Sequence, residues 1–378
     1  MLLSFAQAAV EDIAKHADPK VEVNQVFDAG AHGAVLVTSL NVLPNNDLLC
    51  ITDATKAQAA GLGVKIAGRV ATLGWISKDN GRTWGSPNLV LDGAVADREN
   101  CDPTIIVTGG KVIVIASMGG RPQPPLEYGD SKLWQVTSMD NGRTWIQPSE
   151  LKIPRTRPAL SGRQGLVLTD GTIVVPYWWD FQFQTGMPEP TCVSGVLRSK
   201  DGGLTWELSS DVYAEWSVQP KILPQAAEPA IVALSDKDIF MVARSSRPDG
   251  LAHETWSHDG GWSWEPPKAG ARSGFDTPTA LWRMKNGWVV RIYNDSKTPL
   301  HRFPLVVSIS KDNCRTWSPP RKLVDLPADT KWPAQAAYPV VVEAADGILV
   351  ATWCQVTPGG THWMVASGRF TADWVLGK

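Results

Sequence analysis

The sequence predicts an all-β fold, a six-bladed β-propeller of four-stranded antiparallel blades. Three observations predict it: five near-identical octets, six short apolar runs that read as first strands, four of them opening at or near an X-Pro step, and 18 tryptophans among 378 residues, an excess that a repeated motif explains.

The octets fit S-x-D-x-G-x-[ST]-W. They are SKDNGRTW from Ser77, SMDNGRTW from Ser138, SKDGGLTW from Ser199, SHDGGWSW from Ser257 and SKDNCRTW from Ser310, with starts 61, 61, 58 and 53 residues apart. Asp-Asn-Gly and Asp-Gly-Gly supply the positive-φ positions of a tight hairpin turn. The Asp side chain can accept from the turn's own backbone, and the Trp can pack beneath it. Only the last copy departs, with Cys314 where a Gly is expected.

The same grammar surrounds each octet. A first run starts at or near an X-Pro step (Asp102-Pro103, Glu228-Pro229, Thr277-Pro278, Tyr338-Pro339), and Pro is tolerated at the first residue of a strand. A turn and a second apolar run follow, such as KVIVIAS or TIVVPYW. A third run leads into the octet, so the octet is the hairpin between strands three and four. First strands are expected to open near Ala34, Thr104, Gly165, Ala230, Thr279 and Val340. The sixth unit has no octet and ends in SGRFTADW, so the chain ends should meet in that blade and close the ring. Residues 21–378 read as one propeller, and residues 1–20 as a short N-terminal segment with a helical pattern.

Composition narrows the function. Lys+Arg 36 against Asp+Glu 38 gives a net charge of −2, without the basic footprint of a nucleic-acid binder or a polybasic run for a membrane surface. No apolar stretch reaches the roughly 18 residues that span a bilayer. Five scattered cysteines suggest neither a disulfide framework nor a zinc site, and no His/Asp spacing makes a metal site, so no cofactor is expected. The opening MLLSFAQAAVEDIAKHA has no basic residue before its apolar run and reads poorly as a secretory signal. Localisation and oligomeric state stay open.

In a propeller, one face collects first-strand entrances, second-strand exits and third-strand entrances, and the octet hairpins lie at the other end. The functional face should therefore carry His32, Asp102, Arg163, Glu228 and Tyr338 from first strands. Second strands bring Asp53, Arg121, Trp179 and Arg244, and a third strand brings Arg302. Arginines, carboxylates and tryptophan together suit a glycan with an acidic sugar, because a guanidinium fork matches a carboxylate and an aromatic face covers a sugar ring. The octet Asp and Trp residues read as structural, and Asp102 as a rim carboxylate.

Over residues 25 to 378 the chain resembles the sialidase superfamily, whose members carry these octets (Asp boxes, or BNR repeats) on a six-bladed propeller. GRQGLVLTDGTIVVPYW, EPAIVALSDKDIFMVARSS, RFPLVVSISKD and AYPVVVEAADGILVATW each resemble a segment of that superfamily. The resemblance implies an exo-acting hydrolase that removes a terminal sialic-acid-like sugar with retention. It implies Tyr338 as nucleophile, Glu228 as its base, and Arg244 with Arg302 as carboxylate clamp. Sialidases depart from the two-carboxylate pattern of most glycosidases in using a tyrosine. A phenol of ordinary pKa about 10 needs such a base at neutral pH.

The chain also departs from the superfamily. AHGAVLVTSL lacks the arginine expected at the entrance of blade one, and His32 stands roughly in its place. The acid/base aspartate is matched only by Asp53, slightly early, with Lys56 near it. Arg121, Lys56 or a protonated His32 could assist a two-arginine clamp. Two alternatives stay open: a hydrolase or lyase of uronic-acid-containing glycans with His32 in the site, and a glycan-binding propeller without catalysis.

Overall fold

The computed structural model describes residues 11–30, 37–95, 100–119, 131–180, 192–212, 226–273, 277–296, 298, 301–327 and 329–378, apart from positions 12, 156, 161, 246, 248, 332 and 361. Among them, twenty-four strands form six four-stranded antiparallel sheets. Blade one runs Thr38–Val42, Leu48–Thr55, Val70–Ser77 and Asn88–Asp92, and blade two Asn100–Thr108, Lys111–Gly119, Ser131–Ser138 and Ser149–Leu151. Blade three is Leu166–Val167, Ile173–Asp180, Cys192–Ser199 and Glu207–Leu208, and blade four Ala227–Ala233, Ile239–Arg244, Leu251–Ser257 and Lys268–Ser273. Blade five follows with Ala280–Arg283, Val289–Asn294, Leu305–Ser310 and Arg321–Val324.

Blade six closes the ring. Its first three strands are Gln335–Glu343, Leu349–Val356 and Trp363–Phe370, and the fourth is the N-terminal strand Glu22–Gly30, paired antiparallel to the third. Arg369, buried on the third strand, ties this closure. Its guanidinium pairs with Glu22 and with Asp346 (3.2 Å), and its Nε donates to the carbonyl of Asn80 in the first octet at 2.8 Å. A helical turn at residues 13–16 precedes the closing strand, with Ile13 buried against blades five and six.

The core lies between blades rather than within one sheet. The second strand of blade two is buried continuously from Val112 to Met118 because both of its faces are covered. Val112 and Val114 pack on Leu49 and Ile51 of blade one, whereas Ile113 and Ile115 pack on Val175 and Leu197 of blade three. Each fully buried aliphatic side chain contributes about 1.5–3 kcal/mol, so these apolar layers outweigh the polar contacts at the rims. The cysteines whose side chains are described (Cys50, Cys192, Cys314, Cys354) are all buried.

Each octet starts on the last residue of a third strand and turns into the fourth. In the first, the Ser77 hydroxyl donates to Asp79 Oδ1, and the amides of Gly81 and Thr83 donate to Ser77 Oγ and Asp79 Oδ1, all at 2.8 Å. The fifth repeats this set at 2.9 Å around Ser310 and Asp312, although Cys314 replaces the glycine and takes φ 66. In two octets the Trp indole hydrogen-bonds back to the preceding blade: Trp84 donates to Ser367 of blade six, and Trp206 to Gln135 of blade two. These two octets are thus stitches between blades.

First strands start at Thr38, Asn100, Leu166, Ala227, Ala280 and Gln335. In blades two, four and six the strand begins three to five residues before the expected position and runs through the X-Pro step, which is a correction with consequences for the site.

Candidate functional site

Two of those X-Pro steps share an unusual backbone. Glu228 and Tyr338, each followed by proline, have φ of 45° and 54°. In both blades the pairing of first and second strands slips there, between Ala227 and Ala230 in blade four and between Ala337 and Val340 in blade six. A bulge re-aims a side chain out of the regular alternation. A non-glycine residue at positive φ costs on the order of 1–2 kcal/mol. The same strained device therefore occurs twice, and its two side chains meet.

The Tyr338 hydroxyl donates to Glu228 Oε1 at 3.1 Å, and Arg244 Nη1 donates to Glu228 Oε2 at 2.9 Å. Arg244 is the last residue of its second strand, paired with Ala227 beside Glu228. Arg302 lies just before the third strand of blade five. Its guanidinium carbon stands 5.3 Å from the Tyr338 ring centre, and its Nη1 donates to Gln335 at 3.1 Å. Tyr338 is 7% exposed and the Glu228 side chain 12%.

Electrostatics divides the acids of this group. Burial would raise Glu228, but Arg244 first, then Arg302 and Arg163, hold it below its ordinary value, so it is a carboxylate at neutral pH. Tyr338 is pushed well above the usual phenol range, by burial and then by the charge of Glu228, against Arg244 and Arg302. It is therefore a neutral hydroxyl beside an anionic acceptor. Asp53, on the second strand of blade one, is raised to about 7 by burial, which its own backbone and the Thr52 hydroxyl only partly offset. Asp102 is raised to about 8 by burial, then by the charges of Asp53 and Glu228. A carboxylate with a phenol, two acids that keep protons near neutrality, and guanidiniums around them can combine nucleophilic attack, proton donation and anion binding.

The structure thus brings together Tyr338, Glu228, Arg244 and Arg302, and Asp102 feels the charges of both Asp53 and Glu228. Asp102, read from the sequence as a rim carboxylate, is the acid whose carboxyl burial and the charges of Asp53 and Glu228 raise to about 8. It occupies the same X-Pro step as the other two, but its pairing with Ser117 stays in register. Trp179 is not brought in: it is 1% exposed, its indole donates to Asp211 at 3.2 Å, and Arg155 stacks on its ring at 4.8 Å. That leaves no face for a sugar. His32 and Arg121 lie outside the described residues. Arg163, noticed in the sequence only as a strand entrance, is buried beside the pair. Its signal was the Gly-Arg-Gln-Gly stretch before an apolar run. Among the described residues, no group of three or more His, Cys, Asp or Glu could hold a metal ion.

Comparison with known proteins bears on this group. The model of the BNR repeat-like domain family matches residues 64–350. A sialidase of Bacteroides fragilis is 26% identical over 271 residues, covering 66% of this chain and 48% of that protein. A sialidase of Paraclostridium sordellii is 29% identical over 212 residues, covering 50% and 48%. The chain therefore spans about half the length of these relatives. Among solved structures, a protein of unknown function from Dyadobacter fermentans superposes with a TM-score of 0.69 at 17% identity, covering 92% of this chain and 98% of that one. The NanB sialidase of Streptococcus pneumoniae gives 0.69 at 14% identity, covering 94% and 71%. These superpositions concern the fold.

Proposed function

We propose, from the premise that the chain belongs to the BNR repeat-like domain family, that it is an exo-acting sialidase-type glycoside hydrolase that removes a terminal acidic sugar with retention. The observation that carries this reading is the Tyr338–Glu228 hydrogen bond, with Arg244 on the second carboxylate oxygen. The sialidases among its relatives support it.

In this reading Tyr338 Oη attacks the anomeric carbon while Glu228 takes the phenol proton. Asp53, protonated, gives its proton to the departing glycosidic oxygen. Asp53 as carboxylate then takes a proton from water, whose oxygen displaces Tyr338 from the same carbon. The phenolate recovers its proton from Glu228. Two inversions give retention, and the net reaction consumes one water. A neutral hydroxyl approaches an anionic sugar without the repulsion that a carboxylate nucleophile would meet. Arg244 and Arg302 hold the sugar's carboxylate, because they are the cations already beside the pair.

Activity of the native chain and of Tyr338→Phe on fluorogenic sialosides and uronides tests the reading. Turnover of a sialoside, lost by about a thousandfold or more in the variant at unchanged folding, supports it. Preference for uronides would move the substrate class. Saturable binding without product would leave a glycan-binding propeller.

A further inference from the structure

Arg163 stands at the entrance of blade three, 1% exposed. Its Nη1 donates to the carbonyl of Pro339 at 3.0 Å and to that of Gly162 at 3.4 Å. Its Nε and Nη2 are buried without a hydrogen-bond partner among the described residues. Taking a guanidinium this far from water is costly unless negative charge lies near it. Among the described groups, the one whose charge favours it at neutral pH is Glu228. Burial lowers it only to about 10, so it stays a cation at neutral pH.

Its backbone is held just as tightly. Gly162 has φ +65, and a Cβ there would stand 2.3 Å from Val37 Cγ1 and 2.5 Å from the Thr38 carbonyl oxygen. Only glycine lets blade three approach blade one this closely. The Ser39 hydroxyl then donates to the Arg163 carbonyl at 3.0 Å. The entrance of blade one, AHGAVLVTSL, offers no arginine of its own. Blade three thus brings a cation to the border of blade one, behind the residue that follows Tyr338.

We propose that Arg163 is a positioning residue of this site, a buried cation that anchors the Pro339 carbonyl behind Tyr338 and holds Glu228 as the charged acceptor of the Tyr338 hydroxyl. It rests on the sialidase-type reading. It acts through Glu228 and Tyr338 and does not touch the sugar, since its side chain is closed off from solvent. Among the described residues, the groups that face Glu228 are Tyr338, Arg244, Arg302, Arg163 and Asp102, three cations against one other carboxyl group.

Two variants of the full chain separate charge from hydrogen bonding. Arg163→Gln keeps a donor for the Pro339 carbonyl and loses the charge; Arg163→Lys keeps the charge. On a fluorogenic sialoside, Arg163→Gln should lower kcat by about tenfold or more with KM within about twofold. The acidic limb of its kcat/KM profile should move to higher pH, because Glu228 has lost a cation that favours its charged form. Arg163→Lys should return that limb to the native position. If one variant fails to fold, the other decides: a limb unmoved in the Gln variant, or displaced in the Lys variant, overturns the proposal. So does a rise in KM alone, which would mean direct contact with substrate.

If the native chain turns over neither sialosides nor uronides, the functional reading fails, and the Arg163 claim is read from stability. Glu228 is depressed in the folded state, so it contributes stability above its unfolded pKa that is lost as pH falls through the folded value. Removing Arg163 raises the folded value, so the acid-side fall in Tm should begin at higher pH in Arg163→Gln than in the native chain. Superimposable curves would overturn the claim.

Discussion

Glu228 and Tyr338 adopt the same positive-φ conformation before a proline, in two blades that are not neighbours, and the hydroxyl of one bonds the carboxylate of the other at 3.1 Å. Neither side chain would leave the regular face of its strand without the bulge beneath it. The cost of the two strained residues is covered by the apolar layers between blades. That is why a group this polar can be held at the axis.

Asp53 should set the alkaline side of the pH profile. Its carboxyl, raised to about 7 by burial, is protonated below that pH and loses its proton above it. As proton donor it should therefore make kcat/KM fall about tenfold per pH unit above about 7. Asp53→Asn should remove this limb. Its rate loss should be large on natural glycosides and small on activated aryl ones, whose leaving groups need no proton. An alkaline limb that persists in the variant would assign it to another group.

The octets predict a clear loss for one small substitution and a near-neutral result for another. A Cβ at Gly81, φ +83, would stand 2.8 Å from Val350 Cγ1, so Gly81→Ala should cost about 1–3 kcal/mol. Cys314 already carries that backbone strain, and Cys314→Gly would release about 1–2 kcal/mol. It would also delete a thiol that is 2% exposed and packed with Leu281 and Val289, at about 1 kcal/mol. Its net change should lie within about 1 kcal/mol of zero. Urea midpoints of both variants check this.

Ring closure should depend on Arg369. Arg369→Met leaves Glu22 and Asp346 able to hydrate, since they are half and about a third exposed, but abandons the Asn80 carbonyl. The expected loss is about 1–3 kcal/mol. Hydrogen exchange should locate it in Glu22–Gly30, which would open before the other blades. Uniform loss of protection around the ring would contradict this role for the closing strand.

Much of this architecture was legible in the sequence, because turn chemistry is local. Asp-Asn-Gly or Asp-Gly-Gly inside the first four octets fixes a hairpin whatever surrounds it, and the sixth unit, which has no octet and ends in SGRFTADW, forecasts that the chain ends meet in that blade. The bulges were not legible. An X-Pro step reads as the start of a strand, and only the pairing of Ala227 with Arg244 and of Ala337 with Cys354 carries the strand across it. Trp179 shows the same limit at the level of a face. It sits beside Trp178, and the sequence cannot say which ring turns inward. Arg163 and Asp102 were visible as residues, but their roles depend on burial and on charges from other blades.

Trapping the glycosyl–enzyme intermediate tests the central claim most directly. A fluorinated sialosyl fluoride slows the second displacement more than it blocks the first, so the sugar should accumulate on the nucleophile. Peptide mass spectrometry of the native chain should then find the adduct on Tyr338, and Tyr338→Phe should give none. An adduct on Asp53, Glu228 or any other residue, or turnover that releases the inverted anomer, would contradict the account.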